Sequence, residues 1–282
     1  MNSTHLSALF TGLLDDAALY PPADLKLPEA VAGHARHRLS WYSELLGPFV
    51  CNVRRLPILA GLVEQLGLAP FDVAAVVPDG LDDLPYLRAA QREHPALRLR
   101  AIEVPLKQHR LSQAITALAP HFSGGLPCYV EIAVSRIDER HVHELSAEGL
   151  RLKLRTGGTS IDTFHSEPEL AAPIVMCAAE RLAFKCTAGL HNAVRHRDTA
   201  TKFEHHGFLN VILAARVAAA SGSASATAAS LREQDPLAVA EQVGALSAAD
   251  VPAIRAMFCS FGTCSIDEPV ADLVAMGLVK AP

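Results

Sequence analysis

From residue 48 the chain alternates short apolar runs with longer stretches of helical periodicity, and this alternation constrains its fold more than any other feature. The short runs fall at 48–53, 72–78, 97–105, 128–134, 150–154 and 182–187; the helical stretches between them fall near 56–67, 82–94, 109–120, 137–147 and 167–180. Apolar runs of this length, separated by helices, describe βαβ units and a mostly parallel sheet. Ser166 followed by Glu169 reads as an N-cap with its capping-box partner, which fixes where the fifth helix begins. Glu167 in the first turn favours the helix dipole there.

The expected fold class is therefore α/β, a (β/α)8 TIM-barrel-like architecture, irregular in its last third and preceded by an N-terminal helical arm. With 282 residues the chain fits a single domain over 1–282, divided as the arm 1–47 and the barrel 48–282. The arm carries a stiff double-proline loop at Pro21-Pro22 that suits a cap on one barrel mouth. The rhythm breaks after Lys185. Residues 208–220 are apolar almost all round, so they form a buried helix or an inner strand running into one, and Asn210 within them needs a hydrogen-bond partner. The small-residue stretch 219–230 reads as a loop or weak helix. A polar helix at 236–257, a short strand within 257–265 and a last helix from about 268 to 276 complete the reading. Gly124-Gly125 and Gly157-Gly158 are turns, and no G-x-G-x-x-G follows a strand.

Composition narrows the function classes. A net charge of −5 and a pI near 6.2 argue against a nucleic-acid partner, which would require a basic stripe. No stretch approaches the roughly 18 uninterrupted apolar residues of a membrane span, so no membrane partner is expected. The six cysteines form no CxxC pair, and no secretory signal is recognisable, so free thiols and a cytoplasmic location are expected. The partner left by these exclusions is a small-molecule substrate, with a homo-oligomer as the expected assembly.

Ligands of parallel α/β proteins sit at the carboxyl ends of the strands. Those ends offer Glu103, Glu131, Lys153 with Arg155, Lys185, His191 and the stretch from Ser260 to Ser265. The lysines stand out, because the chain uses six lysines against nineteen arginines. A lysine between apolar strand residues supplies a compact, titratable amine rather than generic positive charge. Such an amine attacks a carbonyl only when neutral, and burial or a second cation lowers its pKa. Glu131 beside Lys153 has two readings: a catalytic pair, or a structural ion pair in a packed interior.

The runs Leu152-Lys153-Leu154-Arg155-Thr156-Gly157-Gly158 and Phe184-Lys185-Cys186-Thr187-Ala188-Gly189-Leu190 resemble the paired-lysine motifs of the deoxyribose-phosphate aldolase family of class I aldolases. Phe261-Gly262-Thr263-Cys264-Ser265 resembles that family's closing phosphate-side turn. The resemblance implies that Lys153 forms the imine, that Lys185 is its electrostatic partner, and that Glu103 stands where the family keeps a proton-shuttling aspartate. The second turn departs from the family's glycine pair, and the segment from Lys185 to Gly262 is much longer than the family's. A relative with changed chemistry or a non-phosphorylated substrate is expected.

The leading function is thus an enzyme acting on a small carbonyl or carboxylate compound by lysine-assisted carbon–carbon lyase or isomerase chemistry. Lys153, Lys185, Glu131, Glu103 and His191 are its catalytic candidates. Arg155, Thr156, Gly157, Gly158, Arg195, Gly262 and Ser265 are its substrate-binding candidates. No cofactor is required. One alternative is a metal-dependent lyase or hydrolase in which Glu131 joins His191, His196 or His205 around a divalent ion. The other is a non-catalytic binding or assembly barrel whose interior ion pairs are structural. Cys264 reads either as a nucleophile or as a buried thiol beside a helix cap at Ser265 or Asp267.

Overall fold

A computed structural model of the chain describes residues 4–122, 125–158, 160–199 and 201–282. Eight parallel strands close a barrel: β1 (Leu14–Asp16), β2 (Leu46–Asn52), β3 (Phe71–Val76), β4 (Leu97–Pro105), β5 (Cys128–Glu131), β6 (Arg151–Arg155), β7 (Phe184–Thr187) and, after a short antiparallel pair β8 (His196–Arg197) and β9 (Glu204–His205), β10 (Phe258–Thr263). Around the barrel the order is β1-β10-β7-β6-β5-β4-β3-β2, so neighbours in sequence are neighbours in space except where β10 meets β1. The expected (β/α)8 barrel is the observed one.

The division at residue 47 is not. The arm contributes β1, the first barrel strand, which pairs with β10 and β2. A strand of three residues, two of them aspartates, is too short to show either the alternation or the apolar run by which strands are recognised. Elsewhere the boundaries agree within a few residues, and β4 spans the expected 97–105.

The capping box forms where expected. The Ser166 N–H donates to Glu169 Oε2 at 2.8 Å at the start of helix Glu167–Ala179. Between β7 and β10 lie β8, β9 and four helices, Phe208–Ser221, Ala224–Arg232, Pro236–Gly244 and Asp250–Met257. The polar helix expected over 236–257 is thus two helices. Ser247 accepts the Asp250 N–H while Asp250 Oδ2 accepts the Ser247 N–H, and this reciprocal pair restarts the helix after Gly244. The small-residue stretch becomes helix Ala224–Arg232, capped by Ser223. Of the two glycine turns, Gly125 takes φ +81, and Gly124 lies outside the described residues. No described helix is long and apolar enough to cross a membrane.

Helix Phe208–Ser221 is buried along its first two turns, and its Phe208 ring stacks on Phe261 of β10 with centroids 5.0 Å apart. Asn210 finds its partners. Its Oδ1 accepts the Arg195 N–H at 2.8 Å, and its Nδ2 donates to the Ser230 and Glu233 carbonyls, both at 2.9 Å. One amide thereby ties three segments of the long insertion together. Asn210→Ala leaves three polar groups of that insertion without this partner, so it should reduce stability by roughly 2 kcal/mol in denaturant unfolding. A change below a few tenths would show that water replaces the amide freely.

Candidate active site

Side chains alternate along a strand, so every second residue faces the barrel lumen. Tyr129 and Glu131 of β5, Arg151, Lys153 and Arg155 of β6, and Lys185 of β7 share the lumen face. Register aligns Glu131 with Lys153 and Lys153 with Lys185, so three charged groups stand side by side across three strands. From β4, on the other side of β5, Glu103 reaches between the lysines, with Oε2 2.8 Å from Lys153 Nζ and Oε1 2.5 Å from Lys185 Nζ. Glu131 bonds Lys153 through Oε2 at 3.0 Å and the Arg155 guanidinium through Oε1 at 2.9 Å. Lys185 closes the chain against Asp15 of β1, whose Oδ2 also accepts the Ser260 hydroxyl at 2.8 Å. Beneath them Lys185 Nζ lies 5.4 Å from the Tyr129 ring centroid, and Arg151 holds the Tyr129 hydroxyl at 3.0 Å.

The six charges balance: Lys153, Lys185 and Arg155 against Asp15, Glu103 and Glu131. Their burial is graded. The Lys185 side chain is 2% exposed and that of Lys153 6%, whereas Glu131 is 15% and Arg155 42% exposed. Solvent therefore meets the network from the Arg155–Glu131 edge, and Lys153 is the amine next to it.

Protonation follows from these contacts. Burial opposes ionisation of Glu103, but the Lys153 and Lys185 ammonium groups overcome it and hold the carboxyl at about 2. Glu131 is lowered too, against burial, by Lys153 and Arg155. Asp15 goes the other way, since burial raises it more than Lys185 lowers it. Its Oδ1 is buried without a hydrogen-bond partner among the described residues, and it sits against Gly47, where any Cβ would overlap it. Burial pushes Lys153 down, and Lys185 adds to that push. Glu103 and Glu131 outweigh both and leave Lys153 above its ordinary value. The second cation is present as expected, but two carboxylates mask it. The resting amine is an ammonium.

Comparison with known proteins adds the fold. No protein-family model and no curated protein matches the sequence. Among solved structures, "QR15, an Aldolase" superposes with a TM-score of 0.50 at 12% identity, covering 96% of this chain and 99% of that one. The chain shares its fold with a solved aldolase. A deoxyribose phosphate aldolase from Aeropyrum pernix, described as tetrameric, aligns over 99% of this chain and 94% of its own at 15% identity, with a TM-score of 0.49.

The other residues singled out in the sequence are dispersed. Thr156 and Gly157 tie the end of β6 to the end of β7: Thr156 Oγ1 donates to the Ala188 carbonyl at 2.5 Å, and a Cβ on Gly157 would stand 2.8 Å from Gly189 Cα. Gly158 packs equally closely on Thr163. Gly262 is paired with Asp15 and Thr187 in the barrel wall. Ser265 Oγ accepts the Glu268 N–H at 3.4 Å, but the N-cap position is Ile266 and Asp267 is already helical, so neither expected residue is the cap itself. Cys264 Sγ lies 3.8 Å from His191 Nδ1, and burial raises its thiol pKa.

Arg195 is not free to hold a substrate anion. It is buried, ion-paired to Glu167 at 3.3 Å and Glu204 at 3.4 Å, and bonded to His206 Nδ1 at 3.3 Å. Burial pushes that imidazole down to about 4, so His206 Nε2–H donates to the His165 carbonyl as a neutral ring. His191 bonds Glu268 at 3.1 Å, and His196 faces His205 across the β8–β9 pair. Glu131 is committed to Lys153 and Arg155. Among the described residues no three His, Cys, Asp or Glu side chains converge as a metal site, so the set of Glu131 with His191, His196 or His205 is not assembled.

Sequence reasoning missed Asp15 as a member of the network. The available signal was Asp15-Asp16 directly after Leu13-Leu14: on a strand one acid must face each side. Asp16 does face outward, to His34 Nδ1 at 2.9 Å.

Proposed function

We propose that this protein is a lysine-dependent carbon–carbon lyase of aldolase type, or an isomerase using the same intermediate, acting on a small carbonyl compound. The observation that carries it is the adjacency of Lys153 and Lys185 on neighbouring strands with Glu103 between them. The aldolase fold of the structural neighbour and the resemblance of the two lysine motifs support the same reading.

Lys153, next to the Arg155–Glu131 edge, is the nucleophile. It first gives up a proton, then its Nζ adds to the carbonyl carbon, and water leaves to form an iminium ion. That cation withdraws electrons from the neighbouring carbon–carbon bond. In a lyase the bond breaks as a β-hydroxyl proton passes to a carboxylate; in an isomerase an α-proton leaves and returns elsewhere. Asp15, with its raised pKa and unpartnered oxygen, is the best proton acceptor of the three acids. Because Lys153 rests as an ammonium, imine formation should accelerate as pH rises from 7 to 9, about tenfold per pH unit.

Borohydride reduction in the presence of small aldehydes and ketones, followed by peptide mass spectrometry, tests this. The expected adduct is on Lys153 and disappears in Lys153→Met. No adduct with any carbonyl compound removes the proposal. One observation favours a second reading, a barrel whose interior ion pairs are structural: Lys185 is sealed and both its carboxylate partners are buried. That reading expects folded Lys153→Met and Lys185→Met to be unobtainable, whereas the catalytic reading expects folded, inactive protein from Lys153→Met.

A further inference from the structure

The lysine network leaves two polar groups at the mouth unmatched. Tyr20, on the loop after β1, packs against the lumen cluster of Val50, Ala74, Ala101 and Tyr129, and its hydroxyl is buried with no hydrogen-bond partner among the described residues. Arg55 ends the short turn Val53–Arg55 that follows β2, at the carboxyl end of the barrel, and is half-buried. Its side chain forms no ion pair or hydrogen bond among the described residues, and it makes no capping bond to the helix that it precedes. Its neighbours differ. Arg54 is paired with Asp79 and Asp83, Lys107 with Asp79, and Arg155 with Glu131. Arg55, Glu103 and Lys185 all act electrostatically on the Tyr20 hydroxyl, so the unpaired guanidinium and the charged core both lie within its reach.

The neighbouring sector of the mouth, after β10, has the reverse character. The helix after β10, Asp267–Ala275, begins with Asp267 and Glu268, and the nearby His191 is already bonded to Glu268. Two carboxylates at a helix start repel an anion there, although strand-end helix N-termini often bind one. Arg195, the other cation of that region, is enclosed by Glu167 and Glu204. An anionic group entering this barrel is therefore turned away from the β10 sector and drawn to Arg55, beyond β2.

We propose that Arg55 and Tyr20 form a carboxylate subsite of the lysine centre, and that the substrate is an oxo acid whose carboxylate docks there while its carbonyl faces Lys153. This rests on the lysine reading and adds the substrate class to it. The guanidinium supplies charge and two parallel N–H donors, and the phenol supplies a third donor. Burial pushes the Tyr20 pKa up, so the phenol stays protonated and donates throughout the working pH range. A carboxylate there satisfies both orphan groups at once, and an uncharged carbonyl compound satisfies neither.

Borohydride labelling of Lys153 with pyruvate and levulinate, each against its methyl ester, tests the charge, and levulinate does so at nearly constant carbonyl chemistry because two methylenes separate its ketone from the carboxylate. At least one acid should half-saturate labelling at a concentration ten or more times below that of its ester. Arg55→Met should bring that ratio to about one, and Arg55→Lys should restore part of it. Tyr20→Phe should reduce the ratio several-fold without lowering the melting temperature, because the hydroxyl it removes has no partner in the fold. Labelling that is equal for acid and ester in the unmodified protein, or a preference that survives Arg55→Met, overturns the subsite and leaves the lysine chemistry standing. Failure of every compound to label Lys153 overturns both.

Discussion

Glu103→Gln should lower the unfolding free energy by about 3–5 kcal/mol near neutral pH, the usual scale for stranding a buried charge. Glu103 is the shared anion of the network: each of its oxygens holds one lysine, and it is 2% exposed. The amide keeps the shape and removes the charge, so the network of Lys153, Lys185, Arg155, Asp15 and Glu131 carries three cations against two anions. The same substitution lowers the pKa of Lys153 by removing one of the two carboxylates that raise it. Imine formation at neutral pH should consequently rise in whatever fraction of Glu103→Gln remains folded, with Asp15 still present as the proton acceptor. Stability would fall while nucleophilicity rises.

The pH dependence has a definite sign. The Glu103 carboxyl sits at about 2 in the fold against an ordinary 4.5, so its contribution is fully present above 4.5 and is lost as pH falls through 2. That difference corresponds to roughly 3 kcal/mol. Denaturant unfolding between pH 7 and pH 2 should therefore show the unmodified protein losing stability towards the Glu103→Gln curve. Two parallel curves across that range would mean that Glu103 has no strong anionic role.

Gly207→Ala should cost about 3 kcal/mol or more, comparable with the strongest overpacking effects. Gly207 precedes helix Phe208–Ser221, and a Cβ there would overlap the Ala193 carbonyl oxygen, Val194 Cα and Asn210 Oδ1. The first two are backbone atoms and cannot swing away, and the third belongs to the amide that joins the insertion. φ at Gly207 is −92°, so the requirement is for space and not for a left-handed backbone. The cost should appear as a lower melting temperature together with faster proteolysis between β7 and β10. An alanine variant as stable as the parent would show that the Ala193–Val194 backbone yields.

The contrast with Gly47 is instructive. There the overlapping atom is Asp15 Oδ1, the end of a side chain. Gly47→Ala should be tolerated better by the fold than Gly207→Ala, and its main consequence should be displacement of the carboxylate from Lys185. A sequence shows two strand- or loop-borne glycines and gives no indication of which neighbour each one accommodates.

Local patterns carried the barrel and half of the site. The alternation of apolar runs with helical stretches depends on neighbouring residues only, so it was legible, as were the Ser166–Glu169 cap and the demand of Asn210 for partners. Lys153 and Lys185 stood out because apolar strands rarely carry an amine, and their strands proved adjacent. Tertiary structure decided which charges meet. Asp15 is 170 residues from Lys185 and reaches it only because the barrel closes β1 onto β10 beside β7. Arg195, legible as an anion holder, is enclosed by Glu167 and Glu204 once the insertion folds. Secondary structure follows from periodicity along the chain. Ion pairing, and with it the protonation state of each amine, follows from strand register and closure, which bring together residues that no local pattern relates.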